Sequence, residues 1–440
     1  MNDQKDQRRF NRRHAVYLLA AGGVVGAAVL VSVVLPRLTA VSYSEVAGIS
    51  AAVSTSTSAS SSVVTTAEAS STAHVATPDV VKGIYMSQCV VGTPSFRDSL
   101  VKFIDTSDLN TVIIDVKDYT GKIAFSTDDL ILHDSVSGAC GAADMQAFVA
   151  TLHQKNIYVI GRITVFQSPY YTRVHPEQAV QARGGGVWKD YKGLSYVDVG
   201  AKPYWDYIVE LGKVSYAIGF DELNFDYMRF PSDGPMSQAE YTWDVGKTKP
   251  QALEEFYKYL TDQLRPTGAK LSVDLFGMTA TNNDDLGIGQ VLERALPYFD
   301  YVSPMVYPSH YPRGYNGYKD VNDHPYDIVN IAMTRAVERT TAATTTVEGL
   351  TETPIMQTVI VPAHGAIATT TEEKPSGVYT KAVYPASKIR PWLQSFDYPV
   401  SYTPAMVEAQ IKATNDAGLQ SYLVWDAANK YTSLRSVLAQ

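Results

Sequence analysis

The chain has 440 residues, 45% hydrophobic, 19% charged and 11% aromatic, with a formal net charge of −8. That composition excludes a collagen-like, coiled-coil or wholly disordered chain, and the acidic balance excludes a general nucleic-acid binder, which needs a basic face. Two cysteines cannot make a disulfide scaffold, and the 29 tyrosines suit wet binding surfaces as well as cores.

Residues 1–14 carry Lys5, Arg8, Arg9, Arg12 and Arg13 against Asp3 and Asp6. Ala15 to Leu35 then runs 21 residues without a charge. At 1.5 Å rise per residue this is roughly the thickness of a bilayer core. The basic flank predicts a single-pass anchor in the lipid bilayer, with the N-terminus cytoplasmic and the rest exported across the cell membrane. A cleaved signal peptide ranks second, because the stretch is long and no clear Ala-x-Ala site follows. Without residues 1–40 the chain has 31 basic and 43 acidic residues, net −12. Bulk charge therefore gives the exported part no attraction for an anionic polymer.

Residues 36–79 read as a flexible stalk. Within 41–77, 31 of 37 residues are Ser, Thr, Ala or Val. Such a stretch cannot bury enough apolar surface to offset its ordering entropy. From 80 to 440 strand and helix patterns alternate. Strand-like runs are 83–86, 111–116, 157–163, 222–228, 271–276, 301–307, 389–396 and 420–425. Helix-like stretches are 97–106, 144–155, 204–217, 251–264, 289–298, 324–338 and 404–417. Eight short strands, most followed by a helix, predict an α/β fold, a closed (β/α)₈ TIM barrel. An open doubly wound sheet is the rival, but it usually has fewer strands. A Thr-rich insertion spans about 340–386, and its middle, Pro354 to Pro362, has strand character.

No cofactor or metal is expected. No Gly-x-Gly-x-x-Gly follows a strand, no His/Asp/Glu spacing suits a metal, and no Gly-x-Ser-x-Gly elbow is present. Cys89 follows the first strand and Cys140 the second. Export permits a disulfide between them, and two free thiols fit equally.

A barrel works at the C-terminal ends of its strands. Side chains alternate faces with period 2. Asp115 and Lys117 therefore share a face, as do Glu222, Asn224 and Asp226, with Leu223, Phe225 and Tyr227 opposite. The polar set of the fourth strand should point into the barrel, with Asp226 nearest the mouth and Asp274 beside it on the next strand. Neighbouring strands are roughly 4.8 Å apart. Two strand-end carboxyl groups can thus reach the separation that glycoside hydrolysis uses, about 5–9.5 Å. Lys117, Arg162 and Arg229 are cations able to hold one of them ionised. Trp188, Trp392, Trp425 and Tyr307 offer flat faces for sugar rings, and His310 a donor at the rim. A bland reading stands beside each. Asp115, Lys117 and Glu222 fit a structural ion-pair layer, Asp118 a turn, His310 a loop hydrogen bond and Trp392 simple packing.

Several segments carry a resemblance: KGIYMS at 82–87, LNTVIIDVKDYTGKIAF at 109–125, GRITVFQSP at 161–169, HPEQAV at 175–180, GFDELNFDYMRFPSDG at 219–234, VSPMVYPSHYPRGYNGY at 302–318, HPYDIV at 324–329, IRPWLQSFDY at 389–398 and YLVWDAANKY at 422–431. From about residue 82 to the end the chain resembles the bacterial "putative glycosyl hydrolase domain" family, formerly a domain of unknown function in the TIM-barrel glycosidase group. The resemblance implies a TIM barrel, an extracytoplasmic setting and a glycosidase-like site, without naming a substrate. The Thr-rich insertion departs from the family's usual short connection.

Both lines lead to the same residues. Asp226 is expected as nucleophile or base, Asp274 as the second carboxyl group and Glu222 as a reserve acid. Asp115, Lys117, Asp118, Arg162 and Arg229 would orient substrate or set charge. Trp188, Tyr307, His310, Trp392, Gln394 and Trp425 would line a cleft for a polysaccharide or oligosaccharide. The expected function is an anchored, extracytoplasmic glycoside hydrolase acting on cell-wall or extracellular polysaccharide. The alternative is a catalytically silent barrel that binds glycans or organises the envelope.

Overall fold

A computed structural model describes residues 74–347, 349–350, 354–362 and 369–439. Eight strands close into a barrel: β1 (Lys82–Met86), β2 (Thr111–Lys117), β3 (Tyr158–Thr164), β4 (Glu222–Asp226), β5 (Lys270–Phe276), β6 (Tyr301–Met305), β7 (Trp392–Gln394) and β8 (Tyr422–Trp425). Every neighbouring pair is parallel, in the order β1-β8-β7-β6-β5-β4-β3-β2. This is the TIM barrel that the strand–helix alternation predicts. The expected anchor at 15–35 lies outside the described residues. Among the described residues, no helix is long and apolar enough to cross a membrane.

The period-2 pattern divides the apolar side chains between two cores. Tyr85, Ile113, Tyr158, Ile160, Trp392 and Leu423 pack inside the barrel. Ile84, Val112, Ile114, Val159, Leu223 and Val424 face outward against the helices. Helices of seven or more residues among the described ones are α1 (Pro94–Asp105), α2 (Met145–Gln154), α3 (Lys202–Ala217), α4 (Lys249–Leu264), α5 (Pro325–Thr341), α6 (Pro404–Asp416) and α7 (Thr432–Leu438). Their starts follow ordinary capping chemistry. Proline occupies the first turn of α1, α3, α4, α5 and α6, where its missing N–H costs nothing. Thr248 and Gln251 close a capping box on α4, which buries Leu253, Phe256, Leu260 and Leu264 along one stripe.

Two connections differ from expectation. The helix expected at 289–298 shrinks to one turn, Leu292–Ala295. Pro297 stops it from behind, and Gly287 and Gly289 sit at positive φ just ahead of it. α7 carries no strong hydrophobic period and was not foreseen. The insertion is a three-stranded antiparallel sheet in the order 354–362, 369–380, 344–345.

Residues 74–79, expected within the stalk, pack against the barrel. His74 stacks on Tyr216 at 4.0 Å, and Asp221 accepts from the Val75 amide at 2.7 Å. Thr77 Oγ1 donates to the Tyr158 hydroxyl at 3.0 Å. Cys89 and Cys140 form a disulfide with a Cα–Cα distance of 4.4 Å, joining the segment after β1 to the loop after β2.

Candidate active site

Arg162 is the hub of the barrel mouth. It extends inward from β3, 5% exposed, among three carboxyl groups. One Nη donates to Asp115 Oδ1 at 2.5 Å, the other pairs with Asp226 Oδ2, and Nε stands 3.9 Å from Asp274 Oδ2. The guanidinium also lies 4.9 Å from the Trp425 ring. Asp226 and Asp274 are thus one guanidinium apart, inside the roughly 9.5 Å upper limit for paired glycosidase carboxylates.

One cation cannot neutralise three buried carboxylates, so protons must remain on some of them. Asp274 is the clearest case. Burial, then the neighbouring Asp226 charge, pushes it up to about 8 against the pull of Arg162. Its Oδ1 accepts from Asn224 Nδ2 at 2.9 Å and Trp392 Nε1 at 2.8 Å. Oδ2 has no hydrogen-bond partner among the described residues and is free to carry the proton. Asp115 is pushed up to about 6 by burial, opposed by Arg162 and the Tyr85 hydroxyl, which donates to it. Asp226 is held by Arg162 and by its neighbour's backbone, with the Tyr227 N–H donating to Oδ1 at 2.5 Å.

Above this layer opens a cleft of about 290 Å³, lined by Arg162, Asp226, Arg229, Tyr307, His310 and Trp425, among others. Trp425 stacks on Tyr85 at 3.8 Å and meets Trp392 edge-on at 5.8 Å. His310 sits edge-on to Tyr307 at 5.4 Å. Its tautomer follows from its partners. Gln394 Nε2 donates to the Phe396 and Tyr398 carbonyls, so Gln394 Oε1 must accept from Ser309 Oγ at 2.9 Å. Ser309 Oγ, its proton spent, accepts from His310 Nδ1–H at 3.0 Å. Nε2 is left as an acceptor. Burial, then Lys192, lowers the pKa of His310, which favours this neutral form.

The geometry sorts the sequence-predicted residues. Asp226, Arg162, Arg229, Tyr307, His310 and Trp425 meet at the cleft. Asp115, Asp274 and Trp392 stand directly behind it. Gln394 is fully buried and reaches the cleft through Ser309 and His310 and through the Phe396 carbonyl. Asp118 folds back on its own turn, accepting from the Thr120 amide at 2.9 Å.

Three expected residues lie elsewhere. Glu222 is fully buried deeper in the barrel, paired with Arg390 and accepting from Ser272 Oγ at 2.5 Å and the Tyr158 hydroxyl at 3.1 Å. It belongs to a structural ion-pair layer. Lys117 does not share a face with Asp115. The β2–β3 register slips between them, so Lys117 pairs with outward-facing Ile163. One extra residue in a strand turns every later side chain to the other face. Lys117 Nζ donates to the Thr164 carbonyl at 2.6 Å, and burial lowers its pKa to about 7. Trp188 packs with Val180 and Tyr196 in a cluster behind Tyr227 and donates to the Pro235 carbonyl at 3.1 Å, without lining the cleft itself.

Tyr227 corrects the alternation in the other direction. It was expected outside, yet it lines the cleft. β4 ends at Asp226, and Tyr227 adopts φ +52°, a left-handed conformation uncommon for a bulky residue. Such backbone outliers concentrate at functional sites. Phe276, Met305 and Phe396 also line the cleft and were missed, because apolar residues at strand ends look like ordinary core.

A family model described as "Putative glycosyl hydrolase domain" matches residues 83–366 and 363–431. Among solved structures, the fold is similar to the PgaB (BpsB) glycoside hydrolase domain from Bordetella bronchiseptica. The TM-score is 0.52 at 12% identity, over 82% of this chain and 99% of that one. It is also similar to alpha-L-fucosidase isoenzyme 2 from Paenibacillus thiaminolyticus, with a TM-score of 0.51 at 9% identity, over 82% and 49% of the two chains. At such identities these likenesses speak to the barrel alone. A hypothetical protein from Ruminiclostridium thermocellum matches at 28% identity over 47% of this chain and 98% of its own, with a TM-score of 0.40. No curated protein matches the sequence.

Proposed function

The chain belongs to the "putative glycosyl hydrolase domain" family, and on that premise we propose that it cleaves glycosidic bonds with Asp226 as the carboxylate that meets the sugar. The observation that carries this is the shared guanidinium. Arg162 pairs with Asp226 at the cleft, while Asp274, one guanidinium behind it, is pushed up to about 8 by burial and then by Asp226. Two carboxyl groups sharing one cation, the buried one favouring its protonated form, suit the acid–base cleavage of an acetal. Asp226 attacks the anomeric carbon or activates the water that does. Asp274 is the proton-bearing partner. Trp425 and Tyr307 give sugar rings flat faces, and neutral His310 accepts from a sugar hydroxyl through Nε2.

The setting we propose is the outer side of a bacterial membrane. The uncharged stretch 15–35 behind a basic tip supports an anchor, and the Ser/Thr/Ala-rich run supports a stalk. The Cys89–Cys140 disulfide supports an oxidising compartment. A tethered barrel would act on cell-wall or extracellular polysaccharide within reach of the stalk.

One observation favours a second reading, a barrel that binds glycans without cleaving them. Asp274 is 1% exposed and does not line the cleft. Incubating the full-length chain with a panel of cell-wall and extracellular glycans separates the two. Released reducing ends support the hydrolase. Retained binding with no release over days would sink it in favour of the silent barrel.

A further inference from the structure

Arg229 stands in the same cleft as Asp226, three residues further along the chain. Its side chain is held in place entirely by neutral groups. Nη1 donates to the Phe230 carbonyl at 3.2 Å and to Ser232 Oγ at 3.0 Å. The guanidinium lies 4.8 Å from the centre of the Tyr227 ring. That ring is where it is because Tyr227 takes the left-handed backbone turn after β4. No carboxylate among the described residues comes within ion-pair distance of Arg229, and its Nε and Nη2 have no hydrogen-bond partner there.

Three buried arginines behave differently. Arg162 is consumed by Asp115 and Asp226, Arg339 by Glu293, and Arg390 by Glu222. Arg229 is therefore a cation held by neutral groups and without an ion-pair partner among the described residues, lining a cleft whose remaining walls are mostly aromatic or apolar. A positioned guanidinium with two free N–H donors matches the two oxygens of a carboxylate. Ring hydroxyls satisfy hydrogen-bond donors but leave the charge unanswered.

We infer that Arg229 is the anchor for a carboxylate on the sugar, so that the cleft takes an acidic sugar such as a uronic acid. This rests on the reading of the cleft as a sugar site and names its substrate class. The acidic exterior does not oppose it. Exposed charges act through a screened field that fades within about 8–10 Å, whereas Arg229 acts at contact. The carboxylate would meet Arg229 while a hydroxyl meets His310 Nε2, which orients the ring over Asp226.

The test measures binding of free monosaccharides, which carry no glycosidic bond to cleave. The full-length native chain is titrated with glucuronic and galacturonic acid and with glucose and galactose, followed by ligand NMR. A sulfated monosaccharide serves as a second anion. The uronates should bind about 10-fold more tightly than their neutral counterparts, as one charged hydrogen-bonded pair would give. Arg229→Gln should abolish that preference, and Arg229→Lys should restore part of it. Equal binding of neutral and acidic sugars, a preference that survives Arg229→Gln, or tighter binding of the sulfated sugar would each overturn the inference. Hydrolysis is read separately with the native chain. Uronate selectivity without cleavage of any uronate-containing glycan would refute the hydrolase and leave the acidic-sugar site standing. Cleavage of neutral glycans alone would do the reverse.

Discussion

Asp274→Asn keeps the shape of the buried acid and removes its proton. The new Oδ1 can still accept from Asn224 and Trp392, and the amide nitrogen stands where the unpartnered oxygen was. In the native protein burial, followed by the Asp226 charge, moves Asp274 from 3.8 to about 8. That displacement corresponds to on the order of 5 kcal/mol. The folded chain keeps a proton that the unfolded chain has already released. The contribution to stability is therefore complete below 3.8, declines as pH rises, and is gone above about 8. Asparagine titrates nowhere in this range. Between about pH 5 and about pH 8 the native protein should lose about 4 kcal/mol relative to the variant. Asp115, pushed up to about 6, acts with the same sign but cancels in the difference between the two proteins. Urea unfolding of both proteins at closely spaced pH values reads that difference directly. Curves that run parallel across the range would mean that native Asp274 is ionised, and the charge assignment of the site would collapse with it.

Two further substitutions separate structure from chemistry. Glu222→Gln strands the buried Arg390 charge and should cost about 3–5 kcal/mol in chemical denaturation, while the fraction that folds keeps its turnover; a stable variant with lost turnover would put Glu222 back in the catalytic set. Removing the disulfide by Cys89→Ala with Cys140→Ala opens a loop with a sequence separation of 51. Stability should fall by about 4 kcal/mol, and a loss below about 1 kcal/mol would show that other contacts hold the two loops together.

All eight barrel strands were legible because each is a short, mostly apolar run, and four of them end on a polar residue, Lys117, Thr164, Asp226 and Gln394. The placement of Asp226 and Asp274 on neighbouring strands followed from strand order and period 2, whereas Arg162 stood only as one of three candidate cations with Lys117 and Arg229. What sequence could not show were departures of one residue. The slip at Val116 carries Lys117 to the outer face, and the left-handed turn at Tyr227 swings a ring into the cleft. Neither residue type announces such a conformation, since a bulge and a positive φ in a non-glycine residue are imposed by the surrounding fold. Trp188 failed for another reason. A tryptophan in a long loop reads equally as a sugar platform or as the centre of a small local core, and here Val180 and Tyr196 claim it. The protonation of Asp274 needed the structure, because it depends on how many carboxyl groups share one guanidinium.

On the proposed function, Asp226 is the carboxylate that acts on the sugar. The initial rate of reducing-end release by the native chain and by Asp226→Asn, on the glycan the native chain cleaves fastest, tests it most directly. The expected drop is about 10²-fold or more, with the sugar still bound. An Asp226→Asn rate equal to the native rate would contradict it.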